Sequence, residues 1–488
     1  MTTVWELSPL YRHTNTVVCE QELLTHHGNR IVLRRSDTLQ VVRTWTLSRS
    51  TKQQQQQQQQ QHGNERALHP ISHNAHSIIR PNNTTNSKSL TPTNDDMPLT
   101  HLSMSQDTQL VLAYAASDRQ CVVFDREHDE SIAKVDIGLE GATNVTWSAN
   151  GRAILAWSSS HLRVSIHDLT QPSPTLHIMF PKCTFPRGFS FSKDGNLLAI
   201  LERHNARDHI GIYDCSTWKL VKHFPVGSPS VDSADLHWSP CTRYLAVEEV
   251  CTDFVVHIFT PDGRHLNTYE PYAKIGRGPT TEPVADSDLE RTRLDRSTEG
   301  WVGLGVRTIA WQPTGEWIAL GGYDGKAAWR EPAEWTERTR GKGIVPFESV
   351  VLPHNLVAVR ADPTKSNPKM GIAQLVWSPS GCWLAAINLM IHSNAVRSVV
   401  WQPINAQVND EGTDDMQETL IIVSGQKGFT LWREPNPDDE QERIGFAECV
   451  GVPGQTEFGA THAKFDPEGK SLLLSDRDMF VVAYPVVE

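Results

Sequence analysis

The chain has 488 residues, 38% of them hydrophobic, and carries 45 lysines and arginines against 57 aspartates and glutamates, a formal net charge of −12. That balance argues against a nucleic-acid backbone or an anionic membrane as the main partner, since both select for positive charge. No uncharged apolar run approaches the ~18 residues of a spanning helix, and none of the eight cysteines stands in a C-x-x-C pair of the zinc-ribbon or thioredoxin type. The cysteines read as free thiols in a reducing compartment. The N-terminus lacks a basic segment followed by an apolar one, so the expectation is a soluble chain in the cytoplasm or nucleus.

In chain order, residues 1–47 read as a first, degenerate repeat unit, with a strand at Asn29–Leu33, a turn at Ser36-Asp37-Thr38 and alternation from Leu39. Residues 48–100 break the pattern. They hold the glutamine run Gln53–Gln61 and a Ser/Thr/Asn/Pro/His-rich stretch. Such a segment buries too little apolar surface to offset its ordering entropy, so it reads as a disordered insertion that serves as a spacer. Alternation resumes at Leu110–Tyr114 and Cys121–Phe124 and continues as an array over residues 101–487.

Within that array one local pattern recurs: an alternating strand ending in an aromatic, a polar turn, and a second apolar strand. The aromatics are Trp147, Phe191, Trp238, Trp311 and Trp377, with a weaker copy at Trp401. The turns carry Gly151, Gly195, Gly315 and Gly381, and Gly325 ends the hairpin Gly321-Gly322-Tyr323-Asp324-Gly325. Glycine accepts the positive φ of a tight turn, while the aromatic gives a half-buried strand end a large apolar surface. A third strand follows at Arg163–His167, Ile210–Tyr213 and Val255–Phe259.

The spacings Trp147–Phe191 and Phe191–Trp238 are 44 and 47 residues, the period of β-propeller blades. The next two, 73 and 66 residues, contain insertions at about 271–303 and 331–366. Trp377 and Trp401 are only 24 residues apart, so the seventh unit looks truncated; a further insertion spans about 404–419. An eighth unit continues through Leu420–Ser424 and Phe429–Trp432, and a ninth is expected near 445–487. Units of this kind cannot bury their apolar faces alone and must stack. The predicted fold is all-β, one WD-repeat β-propeller of seven to nine blades.

Several stretches resemble one family in particular. They are Pro181-Lys182-Cys183, Gly188 to Arg203, Trp218 to Phe224, Pro261 to Tyr269, Gly322 to Lys326 and Asn367 to Ile372. Together they make the chain similar to WD-repeat-containing protein eight, also called WD-repeat protein antisense to TP seventy-three, in its fungal form. The resemblance implies a non-catalytic scaffold at microtubule-organising centres: spindle poles in fungi, centrosomes in animals. It further implies a coiled-coil anchoring partner, a minus-end-directed kinesin as a second partner, and a part in tethering microtubule minus ends. A propeller subunit of an RNA-processing or translation complex is the alternative reading.

No G-x-S-x-G, H-E-x-x-H or P-loop sequence occurs, so no catalytic or cofactor-binding residue is assigned. The 21 histidines look scattered, and no metal site is expected. The acid pairs Glu248-Glu249 and Asp95-Asp96 read as solvated carboxylates, since strand neighbours face apart. Binding is expected on the rim loops of a rigid frame. Asn367, Pro368 and Lys369, and the basic trio Arg291, Arg293 and Arg296, are the candidate partner-binding residues, and the acidic loops 410–418 and 435–442 are further surfaces.

Overall fold

The computed structural model describes residues 3–13, 15–19, 22–47, 99–170, 175–227, 231–250, 254–270, 305–323, 327–328, 334–337, 347–350, 372–388, 396–403, 418–425, 428–433, 446–452 and 458–487. All regular structure among them is β-strand. The strands form antiparallel sheets, most with four strands in simple up-and-down order. Blade one is Asn15–Cys19, Glu22–His27, Arg30–Arg35 and Val41–Thr46. Blades two to five span 101–136, 142–179, 189–225 and 233–269, each with four strands. Blade six has three strands within 306–328, and blade seven shows two, Ile372–Trp377 and Leu384–Asn388. Blade eight spans 398–451, and blade nine is built on His462–Phe465, Leu472–Ser475 and Met479–Val487.

Hydrophobic packing shows that these blades close into a ring. Each core cluster joins sequential neighbours, because alternate residues of one strand face opposite ways. In Leu197–His204, Leu198 and Ile200 pack towards blade three beside Leu155 and Trp157. Ala199 and Leu201 pack towards blade five beside Leu236 and Trp238. The chain of seams runs from blade one through blade nine and returns: Leu473, Phe480 and Val482 of blade nine pack on Leu23 and Leu39 of blade one. A fully buried Leu or Ile contributes roughly 1.5–3 kcal/mol, so the seams hold the ring together.

The N-terminus departs from the sequence expectation. Thr3–Leu7 pairs with Met479–Val487 and supplies the outer strand of blade nine, so the first blade begins at Asn15 rather than at residue 1. Ring closure explains this: a blade made from both ends of the chain leaves neither blade nine nor blade one with an open seam. Trp5 is buried against Phe429 of blade eight at 5.3 Å between ring centroids. The last units shift as well. Phe446–Gly451 is the fourth strand of blade eight, not the start of the ninth unit. The 331–366 insertion contains a hairpin, Glu334–Glu337 with Phe347–Val350, which among the described residues joins no other sheet. Thr419, placed in the 404–419 insertion, starts a strand of blade eight. The glutamine run lies outside the described residues.

In blades three, four, five and seven the repeated turn is closed by a buried serine after the aromatic. Ser148 Oγ donates to Asn150 at 2.6 Å and accepts the Ala153 amide at 2.9 Å. Ser192 bonds Asp194 and the Leu197 amide in the same way. Gly195, at φ +72°, completes its turn where the ideal Cβ would stand 3.2 Å from Ala149 of blade three.

Candidate functional site

Antiparallel connectivity gives the ring two unlike rims. Turns between first and second strands lie on one. The hairpins between second and third strands, with the crossings to the next blade, lie on the other. The first rim carries the repeated structural turns. Blades three to five crowd ionisable side chains onto the second.

The crossing from blade three to blade four folds alongside the second strand of blade four. Lys182 N–H donates to the Leu201 carbonyl at 2.9 Å, and Arg203 N–H to the Phe180 carbonyl at 3.0 Å. This delivers the almost fully buried Lys182 ammonium to Asp208 and, at 2.5 Å, to Asp232. Arg203 binds the same two carboxylates at 2.9 and 3.0 Å. Asp208 also accepts the Ser233 amide of blade five at 2.8 Å. The Lys182 hydrogen bond is the chief cause holding the Asp232 carboxyl below its usual range. Two cations and two anions thus bolt blade four to blade five. Buried charges of this kind need the full set of partners.

Glu202, next in the strand, points the opposite way, towards blade three. Its Oε1 accepts the Tyr213 hydroxyl at 2.6 Å. Its Oε2 lies 2.8 Å from His204 Nε2 and 3.3 Å from His223 Nε2. The His209 ring stacks on His223 at 4.8 Å with 5° between planes, and the Phe180 ring meets His204 edge-on at 5.7 Å. Gly211 makes room: a Cβ there would stand 2.3 Å from Glu202 Oε1 and 2.8 Å from the Tyr213 ring. Burial, and then the bond to Glu202, push the Tyr213 hydroxyl pKa up, keeping it a donor.

A second set gathers in blade five. Asp235 Oδ1 accepts the Gly188 and Leu236 amides at 2.7 and 2.9 Å, and its Oδ2 is 3.9 Å from His237 Nε2. Glu248 is buried beside them with Oε2 lacking a hydrogen-bond partner. Burial first, then the charge of Asp235, push its carboxyl up to about 8. Burial pushes the His237 imidazole down. Each set presents three donor atoms lying within 4.8 Å of one another.

The expectation of solvated carboxylates at Glu248-Glu249 is therefore corrected. Neighbours do face apart, but into packed surroundings: Glu248 is buried, and Glu249 sits 2.8 Å from His257 Nε2. The scattered histidines are also less scattered than they read. Glu202-x-His204 and His209-x-Gly211-x-Tyr213 share one face once Asn205 and Ala206 are recognised as the hairpin turn, both with positive φ. That alternation was the available signal.

The six candidate partner-binding residues, Asn367, Pro368, Lys369, Arg291, Arg293 and Arg296, lie outside the described residues, as do Gly325 and most of both acidic loops. Glu418 is described and is buried, accepting the Ser380 amide at 2.9 Å. Of the blade anchors, Trp147, Trp238 and Trp401 are 7% exposed, whereas Phe191, Trp311 and Trp377 are half-buried. Several anchors also do more than fill space. Trp311 Nε1 donates to the His237 carbonyl at 3.4 Å, Trp377 to Ala310 at 3.0 Å and Trp401 to Val376 at 3.0 Å. Each acceptor immediately precedes the aromatic of the previous blade.

Comparison with known proteins finds WD-repeat relatives. The chain is 24% identical over 446 residues to the WD repeat-containing protein WRAP73 of Mus musculus, covering 79% of this chain and 84% of that protein. An uncharacterised WD repeat-containing protein of Schizosaccharomyces pombe is 27% identical over 169 residues, 34% of each chain. Both of these relatives are WD-repeat proteins. No family model matches this chain. Among solved structures, the Dos1 propeller aligns over 98% of it at 10% identity and a TM-score of 0.45, covering 95% of that chain. A eukaryotic initiation factor aligns over 94% of it at 10% identity and 0.48, covering 96% of that chain. The resemblance to the WRAP73 type read from the middle blades is thus found again over most of the chain.

Proposed function

We propose that this WD-repeat chain is a non-catalytic scaffold of the spindle pole body or equivalent microtubule-organising centre. In this reading it binds a coiled-coil anchoring protein, works with a minus-end-directed kinesin, and helps tether microtubule minus ends. The observation that carries the reading is the similarity to WRAP73 across 79% of the chain, on a ring closed by pairing its own N- and C-terminal strands. A closed ring is a rigid frame, and rim loops on such a frame can vary to fit protein partners without disturbing the core.

A fluorescently tagged copy tests it. The tag should mark spindle poles through mitosis and lose that position when the coiled-coil partner is depleted. Lys369→Glu, and charge reversal at Arg291, Arg293 and Arg296, probe two binding patches. A patch that binds loses localisation on reversal while the melting temperature stays that of the wild type. A tag spread evenly through the cell, or one that follows ribosomes, overturns the reading.

A further inference from the structure

We propose that Glu202, His204 and His223 form a zinc site on the rim between blades three and four. The donor set is two imidazole nitrogens and one carboxylate oxygen, a combination that suits Zn²⁺ with a fourth position left to solvent. In a tetrahedral site with bonds of about 2.0–2.1 Å, neighbouring donor atoms lie roughly 3.3 Å apart. Glu202 Oε2 is 3.3 Å from His223 Nε2 and 2.8 Å from His204 Nε2, so the second need open by only a few tenths of an ångström. All three donors lie within 4.8 Å of one another.

The surroundings hold the donors in place. The Tyr213 hydroxyl occupies the other Glu202 oxygen and leaves Oε2 to face the imidazoles. An outer hydrogen bond of this type orients a ligating carboxylate. Gly211 supplies the space that the carboxylate fills. The His209 ring, with Nδ1 3.1 Å from the Arg207 carbonyl, stacks flat on His223 and sets its angle. His209 is a positioning residue in this scheme.

Three imidazole rings, those of His204, His209 and His223, pack within 4.8–5.7 Å of one another around the site. Glu202 lies buried at the base and His223 at the exposed side, so an ion reaches the site from solvent.

The test uses the full-length chain carrying no polyhistidine tag, stripped with a chelator and dialysed. Titration with ZnCl₂ in a calorimeter should show one tight equivalent per chain. Zinc should raise the melting temperature, since a ligand bound only by the folded state stabilises it. His204→Gln and His223→Gln should each weaken zinc binding by at least about ten-fold and abolish the thermal shift. His462→Gln, an exposed histidine on blade nine, should change neither. His223 is exposed, so its variant should keep the zinc-free melting temperature. Two results overturn the proposal: no stoichiometric zinc on the wild-type chain, or wild-type zinc affinity in both cluster variants.

Discussion

Blades three to five and blades six and seven use the same repeat but hold their seams with different bonds. Blades three to five carry four strands each, and ionic or polar bonds cross their seams. Blade six has three strands and blade seven two among the described residues. Yet the seams through six and seven are unbroken: Ala319 packs on Ile372 and Leu375, and Ile387 packs on Val399 and Trp401. The inner two strands therefore carry the ring. Bonds between inner strands cross these seams as well. Trp377 and Trp401 each donate to the preceding blade, while Gln312 and Gln402 donate to the Gly381 and Gly469 carbonyls of the following blade at 2.8 and 2.7 Å. Both glutamines stand where blades three, four, five and seven place the turn-closing serine.

The strongest way to break this comparison is to remove one inner-strand aromatic from blade five and one from the seam into blade seven. Trp238→Ala in blade five and Trp401→Ala in blade eight should each cost roughly 3–5 kcal/mol. Trp401 loses its bond to Val376 and its ring contact with Trp432, at 5.9 Å, as well as its burial. Denaturant melts of both variants measure it. A Trp401 variant as stable as the wild type would show that the seam into blade seven does not depend on the inner strands.

Asp208→Ala strikes the complete region through charge. It leaves Lys182 buried with one carboxylate fewer and the Ser233 amide without its acceptor. A buried pair broken from one side costs about 3–5 kcal/mol, and the exposed share of this network places the loss at the lower end. Because Asp232 remains, the variant should still fold. Thermal melts at low and high salt should show the loss persisting at high salt, as expected of a buried network.

Glu248 sharpens the comparison through pH. Its carboxyl stands at about 8 in the folded chain against 4.5 unperturbed, raised by burial and then by Asp235 and opposed by Arg187. Between those values the folded chain holds the extra proton. Stability should therefore be full at low pH and fall as pH rises through about 8. Glu248→Gln, which stays neutral, should flatten that slope and melt higher than the wild type at pH 8. A wild-type melting temperature unchanged from pH 5 to 8 would refute the assignment.

The smallest effect belongs to the glutamines. Gln312→Ala and Gln402→Ala each remove one neutral bond between blades, worth about 1 kcal/mol. The double variant should show additive losses, since the two bonds lie in different seams. Hydrogen exchange localised to blades seven and nine is the sensitive readout.

The sequence by itself determined the class of fold, because aromatic-ended strands and positive-φ glycine turns are local features that repeat at a fixed period. It also marked the seventh unit as short, with only 24 residues between Trp377 and Trp401. Only the tertiary structure decided how the ring closes. Pairing Thr3–Leu7 with Met479–Val487 joins residues more than 470 positions apart, and neither strand's pattern names its partner. The rim clusters were beyond sequence reading for the same reason. Glu202, His204 and His223 meet only because a hairpin and a further strand fold back in register, and Glu248 is buried only because blade five packs it against Asp235. Burial sets a carboxyl's pKa, and burial follows from the assembled ring rather than from any one strand.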